Sequence, residues 1–186
     1  RTNVNKEAAK TGVSITFAEA KDFIYTYRDI HIFLKRWWDE VDAQLSKTRT
    51  LHNLLGRHRF FFGRTSSILP AAVAYNPQST VGDTLNIGLL NLSGVWCEYM
   101  HELGLVDEYQ VYFEELQRMG FQALQQIHDA VGYQYPKENR DLVQPLVRKL
   151  MTVPLTVPAT LTEFTIPVEI QIGPNWGDVE LWKESL

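Results

Sequence analysis

The chain has 186 residues, of which 45% are hydrophobic and 12% aromatic, a composition that is typical of a folded protein with a core and excludes a disordered one. No stretch approaches the roughly 18 to 20 uncharged apolar residues of a membrane helix, and the N-terminal residues contain no apolar signal-peptide core. The single cysteine, Cys97, excludes an internal disulfide. We therefore expect a soluble, cytoplasmic protein with no membrane partner.

Charge is unevenly distributed along the chain. The formal net charge of -4 and the pI near 5.7 are unlike the basic balance of most nucleic-acid-binding proteins. Between Asp42 and Asp83, however, no aspartate or glutamate occurs, and the basic residues of this window are Lys47, Arg49, Arg57, Arg59 and Arg64, with His52 and His58. Such a window indicates either a phosphate-binding surface or a solvated loop that lacks acids by chance. Its position between the other motifs of the chain favours the phosphate-binding surface.

The first predicted element is one long amphipathic helix from Thr16 to about Leu45, because apolar residues recur there every three or four positions. Thr16, with Glu19 three residues later, predicts a capping box at its start. The apolar and aromatic stretch after this helix is broken by two glycines. It predicts two short strands, residues 51–55 and 57–62, which form a basic hairpin.

Three further helices are predicted. The apolar run after Pro77 indicates a buried helix that carries Gln78 at its start and ends at Gly104. Apolar residues at helical spacing indicate two more helices, over residues 108–119 and 139–150.

A second hairpin is predicted between the last two of these helices. Residues 121–127 and 131–135 are its strands, and His128 and Asp129 lie in the tight turn that joins them. The alternation of apolar and polar residues over 164–172 indicates one more half-buried strand. Together these elements predict an α+β fold in which a small antiparallel sheet packs on long helices.

The carboxylate of Asp129, at the tip of this hairpin, is a candidate metal ligand. Phosphoryl transfer needs metal ions held by carboxylates, and a tight turn exposes a side chain while the flanking strands fix its position. The alternative is that Asp129 bonds to its own backbone, as turn aspartates commonly do. A two-metal site requires further carboxylates, and neither Asp83 nor Glu169 falls in a pattern that would supply them. The sequence thus offers half of a metal site.

Gln78 is a candidate for contact with duplex nucleic acid. A glutamine amide both donates and accepts, so it can bond to the minor-groove acceptors that every base pair shares and check pair shape without reading sequence. The alternative is that Gln78 only caps the start of its helix.

Four segments of the chain resemble motifs of the family A DNA polymerases, the group of bacterial DNA polymerase I and the podophage replicases, and the phage members are the closer match. Residues 77–83, Pro-Gln-Ser-Thr-Val-Gly-Asp, resemble the Pro-Gln-Ser-Thr-Val segment, and residues 56–59 resemble the Gly-Arg-Arg-Arg element. His128-Asp129 stands where the family has His-Asp-Glu. Residues 170–177 resemble the closing strand and its Gly-x-x-Trp tail. Order and spacing agree from about Asn5 to the end.

The resemblance implies that residues 1–15 are the end of the fingers, and that residues 16–186 are the palm-side helices and the catalytic hairpin. It implies that Asp129 is one of two catalytic aspartates that bind Mg²⁺ in a two-metal site, and that His128 lies by the primer 3′ end. Gln78 would contact the minor groove of the nascent base pair. The remaining DNA-binding residues would be basic: Arg57 and Arg59 near the duplex backbone, with Arg64, Lys47 and Arg49.

The chain departs from the family pattern at several points. Ala130 replaces the glutamate of His-Asp-Glu, and Pro70 stands where an arginine is expected. The other metal-binding aspartate of the family and the fingers helix that binds the incoming nucleotide have no counterpart, and residues 4–9 resemble the family's segment directly after that helix. The resemblance therefore implies one part of a split or fragmented polymerase that is inactive alone and, if phage-encoded, lies in the host cytoplasm. Its partners would be primer-template DNA, dNTP and an N-terminal polymerase chain or fragment.

Functions of another class are also considered. A catalytically silent DNA-binding or assembly module would keep the basic hairpin and be indifferent to Asp129. A metal-dependent phosphohydrolase of the His-Asp class would need further histidines on neighbouring helices, and the other histidines do not follow that pattern. The pair His101-Glu102 also lacks the second histidine, four residues after the first, of a zinc protease helix.

Overall fold

The computed structural model describes residues 15–182, together with Lys10 and Gly12. Its helices are α1 (Phe17–Ile30), α2 (Ile32–Thr48), α3 (Thr65–Leu92), α4 (Glu98–Glu102), α5 (Val106–Arg118) and α6 (Arg140–Met151), with a 3-10 turn at Lys137–Asn139. Its strands are β1 (Thr50–His52), β2 (His58–Phe60), β3 (Gln122–Ile127), β4 (Ala130–Gln134), β5 (Pro154–Val157), β6 (Thr162–Thr165), β7 (Gln171–Ile172) and β8 (Glu180–Leu181). The predicted α+β class is confirmed. In the described part, the strands form two-stranded sheets of consecutive strands instead of one small sheet.

The chain divides into two compact units. The first comprises Arg1–Leu51 and His58–Tyr75, and the second comprises His52–Arg57 and Asn76–Leu186. The segment predicted to be the end of the fingers, residues 1–15, lies almost entirely outside the described residues. No helix between residues 15 and 182 is long and apolar enough to cross a bilayer.

The N-terminal helical region of the first unit is two helices, so the prediction of one long helix is wrong. The capping box is confirmed, because the Thr16 N–H donates to the Glu19 carboxylate at 2.7 Å and the Glu19 N–H donates to the Thr16 hydroxyl at 3.2 Å. The break is at His31, where φ is -104° and ψ is 60°. Apolar spacing cannot reveal such a break, because one non-helical residue leaves the recurrence of apolar residues nearly in phase.

The basic hairpin is confirmed, with shorter strands than predicted. Its second strand leads into Phe61, whose N–H donates to the Arg49 carbonyl at 2.8 Å and whose ring meets Tyr75 edge to face, with the centroids 5.8 Å apart. The residues of β2 itself are exposed. The buried core of this unit consists of Val41, Leu45, Leu51, Phe61, Ala72 and Tyr75.

Helix α3 begins at Thr65, not at Pro77 as predicted. Pro70 and Pro77 both lie inside it. A proline inside a helix removes one backbone donor and crowds the preceding turn, but it also fixes φ near a helical value, and α3 continues through both prolines. Gln78 is therefore in the middle of the helix.

The same helix ends at Leu92, not at Gly104 as predicted. Gly94 has a φ of 67°, and the N–H of the following residue donates back to the Leu90 carbonyl at 2.9 Å. This arrangement closes a helix and requires a left-handed residue. A Cβ on Gly94 would also lie 2.6 Å from the Phe113 ring, so glycine is needed for packing as well.

The core of the second unit lies among α3, α5 and α6. Its buried members are Leu85, Ile87, Leu92, Met100, Tyr109, Leu116, Phe121, Val143, Val147, Leu150, Met151 and Val153. The β3–β4 hairpin packs against this core through β4, by way of Val131, Tyr133 and Tyr135, whereas every residue of β3 is exposed. The predicted hairpin and the two helices around it are confirmed within about two residues at each end.

The strand predicted over residues 164–172 is wrong in extent. Strand β6 ends at Thr165 and pairs with β5, while β7 begins at Gln171 and pairs with β8. Pro167 lies between them, and because proline has no N–H it cannot continue a strand ladder.

Candidate active site

The His128-Asp129 turn closes the β3–β4 hairpin. Ile127 and Ala130 are paired across the hairpin, so the loop has only two residues. His128 has a φ of 54°, in the left-handed region that non-glycine residues rarely occupy. Such a conformation costs on the order of 1 kcal/mol or more and persists where the surrounding structure or a function demands it. The strain is therefore located next to the predicted catalytic carboxylate.

The Asp129 side chain is exposed and makes no hydrogen bond or ion pair with the described residues. The alternative in which it bonds to its own turn is thus not what the structure shows. An exposed carboxylate without partners presents hard oxygen ligands of the kind that Mg²⁺ prefers. Within residues 15–182, however, no three His, Cys, Asp or Glu side chains lie close enough to hold a metal ion together. The Asp129 carboxylate could therefore offer at most one protein ligand to a metal ion, and the described residues supply no others beside it.

Gln78 is exposed in the middle of α3, which rules out the alternative of a cap at the helix start. Gly82 and Asn86 follow at four-residue intervals, so the three lie along one face. Nothing lies within 4 Å of a Cβ built on Gly82, and the Asn86 side-chain oxygen accepts from the Gln126 amide at 3.4 Å. An open, uncharged polar strip therefore leads from Gln78 to the strand that precedes the His128-Asp129 turn.

The Arg57 guanidinium binds the carboxylate of Asp83, a residue to which the sequence analysis gave no role. Its Nη2 lies 2.6 Å from Asp83 Oδ1, and its Nε donates to Oδ2 at 2.9 Å, so the guanidinium meets the carboxylate side-on. The Asn53 amide donates to the same Oδ2 at 2.7 Å. The Asp83 side chain is 13% exposed and that of Arg57 is 60% exposed. Arg57 thus braces the loop between β1 and β2 against α3.

Asn53 completes this brace from the loop side. Its side-chain oxygen accepts from the backbone N–H of Leu55 at 3.1 Å and from that of Arg57 at 2.9 Å. The side chain is buried and all of its bonds stay within the loop or reach Asp83. A cleft of about 710 Å³ opens beside the brace, and its lining includes Leu55, Arg57, Asp83, Asn86, Tyr99 and Thr156.

The other predicted DNA-binding residues belong to the first unit, and all four are exposed: Lys47, Arg49, Arg59 and Arg64. Arg49 donates to the Gly63 carbonyl at 2.8 Å. The Arg59 guanidinium lies over the Phe61 ring, with its Cζ atom 4.9 Å from the ring centroid. These contacts orient the Arg49 and Arg59 side chains, and none of the four charges is paired with a carboxylate in any described contact.

A hydrogen-bonded group behind the hairpin was missed by the sequence analysis. The Tyr133 hydroxyl donates to the Gln144 side-chain oxygen at 2.6 Å, and the Gln144 amide donates to the Tyr135 hydroxyl at 2.6 Å. Burial raises the pKa of Tyr133 well above its usual value, so this hydroxyl remains a donor at every ordinary pH. The signal in the sequence was a glutamine on the apolar face of a helix, between Val143 and Val147.

The curated proteins that the chain resembles include several DNA polymerase I enzymes. No protein-family model matches the chain. It is 25% identical over 173 residues to the thermostable DNA polymerase I of Thermus aquaticus, a match that covers 88% of this chain and 18% of that protein. It is 26% identical over 180 residues to DNA polymerase I of Deinococcus radiodurans, covering 90% of this chain and 16% of that protein. The chain therefore spans less than a fifth of the length of these relatives.

A solved structure shows the same fold. The POL domain of Pol1 from M. smegmatis, in a complex with DNA primer-template and dNTP, superposes with a TM-score of 0.58 at 20% identity. The match covers 85% of this chain and 26% of that chain.

Proposed function

Because the chain is a homologue of DNA polymerase I, which is a family A DNA polymerase, we propose that it supplies part of the active site of a template-directed DNA polymerase. The reaction is the transfer of dNTPs onto a primer 3′ end. The observation that carries the proposal is the exposed Asp129 carboxylate, which makes no hydrogen bond or ion pair with the described residues and lies in a two-residue turn beside the strained His128. In this assignment residues 16–186 are the palm-side part and residues 1–15 the end of the fingers.

The described residues would act mainly by binding and orientation. Asp129 would hold divalent metal together with carboxylates from the rest of the polymerase. Bound Mg²⁺ would supply charge stabilisation for the transferred phosphoryl group. His128 would lie by the primer 3′ end. Gln78, exposed at the middle of α3, would contact the minor groove of the nascent pair through both its donor and its acceptor.

Primer extension tests this proposal. With Mg²⁺ and all four dNTPs, this chain alone is expected to give no extension, because one carboxylate does not complete a two-metal site. Addition of a polypeptide that carries the remaining part of the polymerase domain is expected to restore extension. If the combined chains bind primer-template and do not extend it, the silent DNA-binding or assembly module is the correct function instead.

The basic side chains of the first unit are expected to determine the salt dependence of DNA binding. Replacing Arg59 and Arg64 by alanine should reduce the slope of log K against log salt by about one unit per residue, since each phosphate contact releases counterions. The measurement is fluorescence anisotropy with a labelled primer-template over a range of salt concentrations.

A matched control is Lys35→Ala in the same unit. Lys35 is exposed but pairs with Asp39 at 2.7 Å, so its charge is already neutralised. Its removal should leave the slope unchanged. A slope for the Arg59 and Arg64 variant equal to that of the parent would reject their assignment as phosphate contacts.

A further inference from the structure

Gln144 occupies an unusual position for an uncharged polar residue. It is fully buried on α6, among the apolar residues that form the core of the second unit. A buried amide is costly unless its donor and its acceptor are both bonded. Here both are bonded. The partner of the acceptor is Tyr133 in β4, and the partner of the donor is Tyr135, the residue directly after β4.

We propose that Gln144 is a positioning residue for the Asp129 turn, because its single amide holds these two tyrosine hydroxyls and so fixes the catalytic hairpin on α6. This inference rests on the proposed polymerase function. It adds a residue that touches neither substrate nor metal and acts through the hairpin.

The geometry of a strand explains why these two hydrogen bonds select one register of β4. Tyr133 and Tyr135 are two residues apart and therefore lie on the same face, about 7 Å from one another along the strand. A one-residue slip of β4 would move both rings to the opposite face, so bonds to both hydroxyls select one register. The two rings are stacked with their centroids 6.1 Å apart, so that one amide can reach both.

Because the turn is far from the two tyrosines, a small rotation of the hairpin there displaces Asp129 by a larger distance. Asp129 is four residues from Tyr133, or about 13 Å along the strand. A rotation of the hairpin by about 5° at the tyrosines would therefore displace the turn by about 1 Å. A displacement of that size can lower the rate of an enzyme on the order of 100-fold.

The other described contacts of the hairpin are mainly packing contacts: Val131 packs on the core of the second unit, and the Trp176 ring lies beside Gly132. Strand β3 is exposed along its whole length, and its side-chain link to α3 is the 3.4 Å bond between Gln126 and Asn86. On β4, the Tyr133 ring also packs against Phe121, with the centroids 5.4 Å apart. Apolar packing of this kind tolerates sliding, whereas two short hydrogen bonds to one amide do not.

The test separates position from stability with two substitutions. Gln144→Met keeps the length of the side chain and removes the amide, which leaves the Tyr133 hydroxyl buried without its acceptor. We expect Tm to fall by about 5 °C and the primer-extension rate to fall at least about tenfold. Adding Tyr133→Phe removes the orphaned hydroxyl. Tm should then return to within about 2 °C of the parent, while the rate should stay at the level of the single variant.

Two further readouts report position directly. The loss should appear in kcat and not in the KM for dNTP, because the nucleotide contacts are unchanged. In this chain alone, the backbone amides of His128 and Asp129 should exchange with solvent faster in both variants than in the parent. Gln134→Ala is the control, since Gln134 bonds to Gln122 within the hairpin and does not reach α6; it should change neither rate nor exchange.

The outcomes are distinct. If the double variant recovers rate and amide exchange along with Tm, or if Gln144→Met changes neither, Gln144 has no positioning role. If the combined chains bind primer-template and do not extend it, the proposed function is wrong; if they extend it without the Asp129 carboxylate, only the metal-binding role of Asp129 is wrong. In either case, amide exchange at the turn still decides whether Gln144 fixes the hairpin.

Discussion

Replacing Asp129 with asparagine is expected to lower the rate of primer extension by about 10³-fold or more in the complete polymerase. Asparagine keeps the size of the side chain and removes the charge that would hold divalent metal. A loss of 10³ corresponds to about 4 kcal/mol of transition-state stabilisation, which is in the range expected for a shared metal ligand. The measurement is single-turnover extension of a labelled primer at saturating dNTP.

The structure also predicts that this substitution leaves the fold intact. Asp129 is exposed and makes no hydrogen bond or ion pair with the described residues, so the free energy of unfolding should change by less than about 0.5 kcal/mol. Asp141→Asn is the matched control, because Asp141 is an exposed aspartate in the first turn of α6 and is not part of the hairpin. It should extend primers at the rate of the parent. Normal extension by the Asp129 variant would contradict the assignment.

The helix cap at Thr16 and the hairpin that carries the turn could be predicted from the sequence because their signals are local. Thr16 and Glu19 bond to each other within one helical turn, and the two strands of the β3–β4 hairpin are adjacent in the chain. Helix α3 was predicted with the wrong start because Pro77 is a good indicator of a helix start on average. Here the helix is long and well packed enough to contain it.

The pairing of functional residues could not be predicted, since it depends on contacts between distant parts of the chain. Arg57 and Asp83 are separated by 26 positions, and nothing in either segment indicates that they meet. The sequence therefore assigned Arg57 to DNA by its charge and by its place in the segment 56–59, without knowledge of its partner. The residue types of the candidate site were visible in the sequence, whereas their partners required the fold.

Removing Asp83 is expected to destabilise the second unit far more than removing a surface carboxylate. Asp83→Ala takes away the side-on pair with Arg57 and leaves the buried Asn53 amide without its acceptor. Hydrogen bonds to a charged group are worth about 1.5–3 kcal/mol, and Arg57 itself can turn to solvent. We expect a loss of about 2–3 kcal/mol, measured by urea unfolding. Asp39→Ala, which breaks an exposed pair with Lys35, should cost less than about 0.5 kcal/mol.

The same pair decides what Arg57 does for DNA binding. Its charge is already matched by Asp83, so Arg57→Ala should lower stability by about 1 kcal/mol and change the salt slope by clearly less than one unit. Arg59→Ala should show the reverse, with little change in stability and about one unit of slope. If Arg57→Ala instead loses a full unit of slope while the fold keeps its stability, Arg57 contacts the duplex backbone directly and the bond to Asp83 opens when DNA binds. Measuring both quantities on both variants therefore distinguishes a residue that braces the loop from one that binds phosphate.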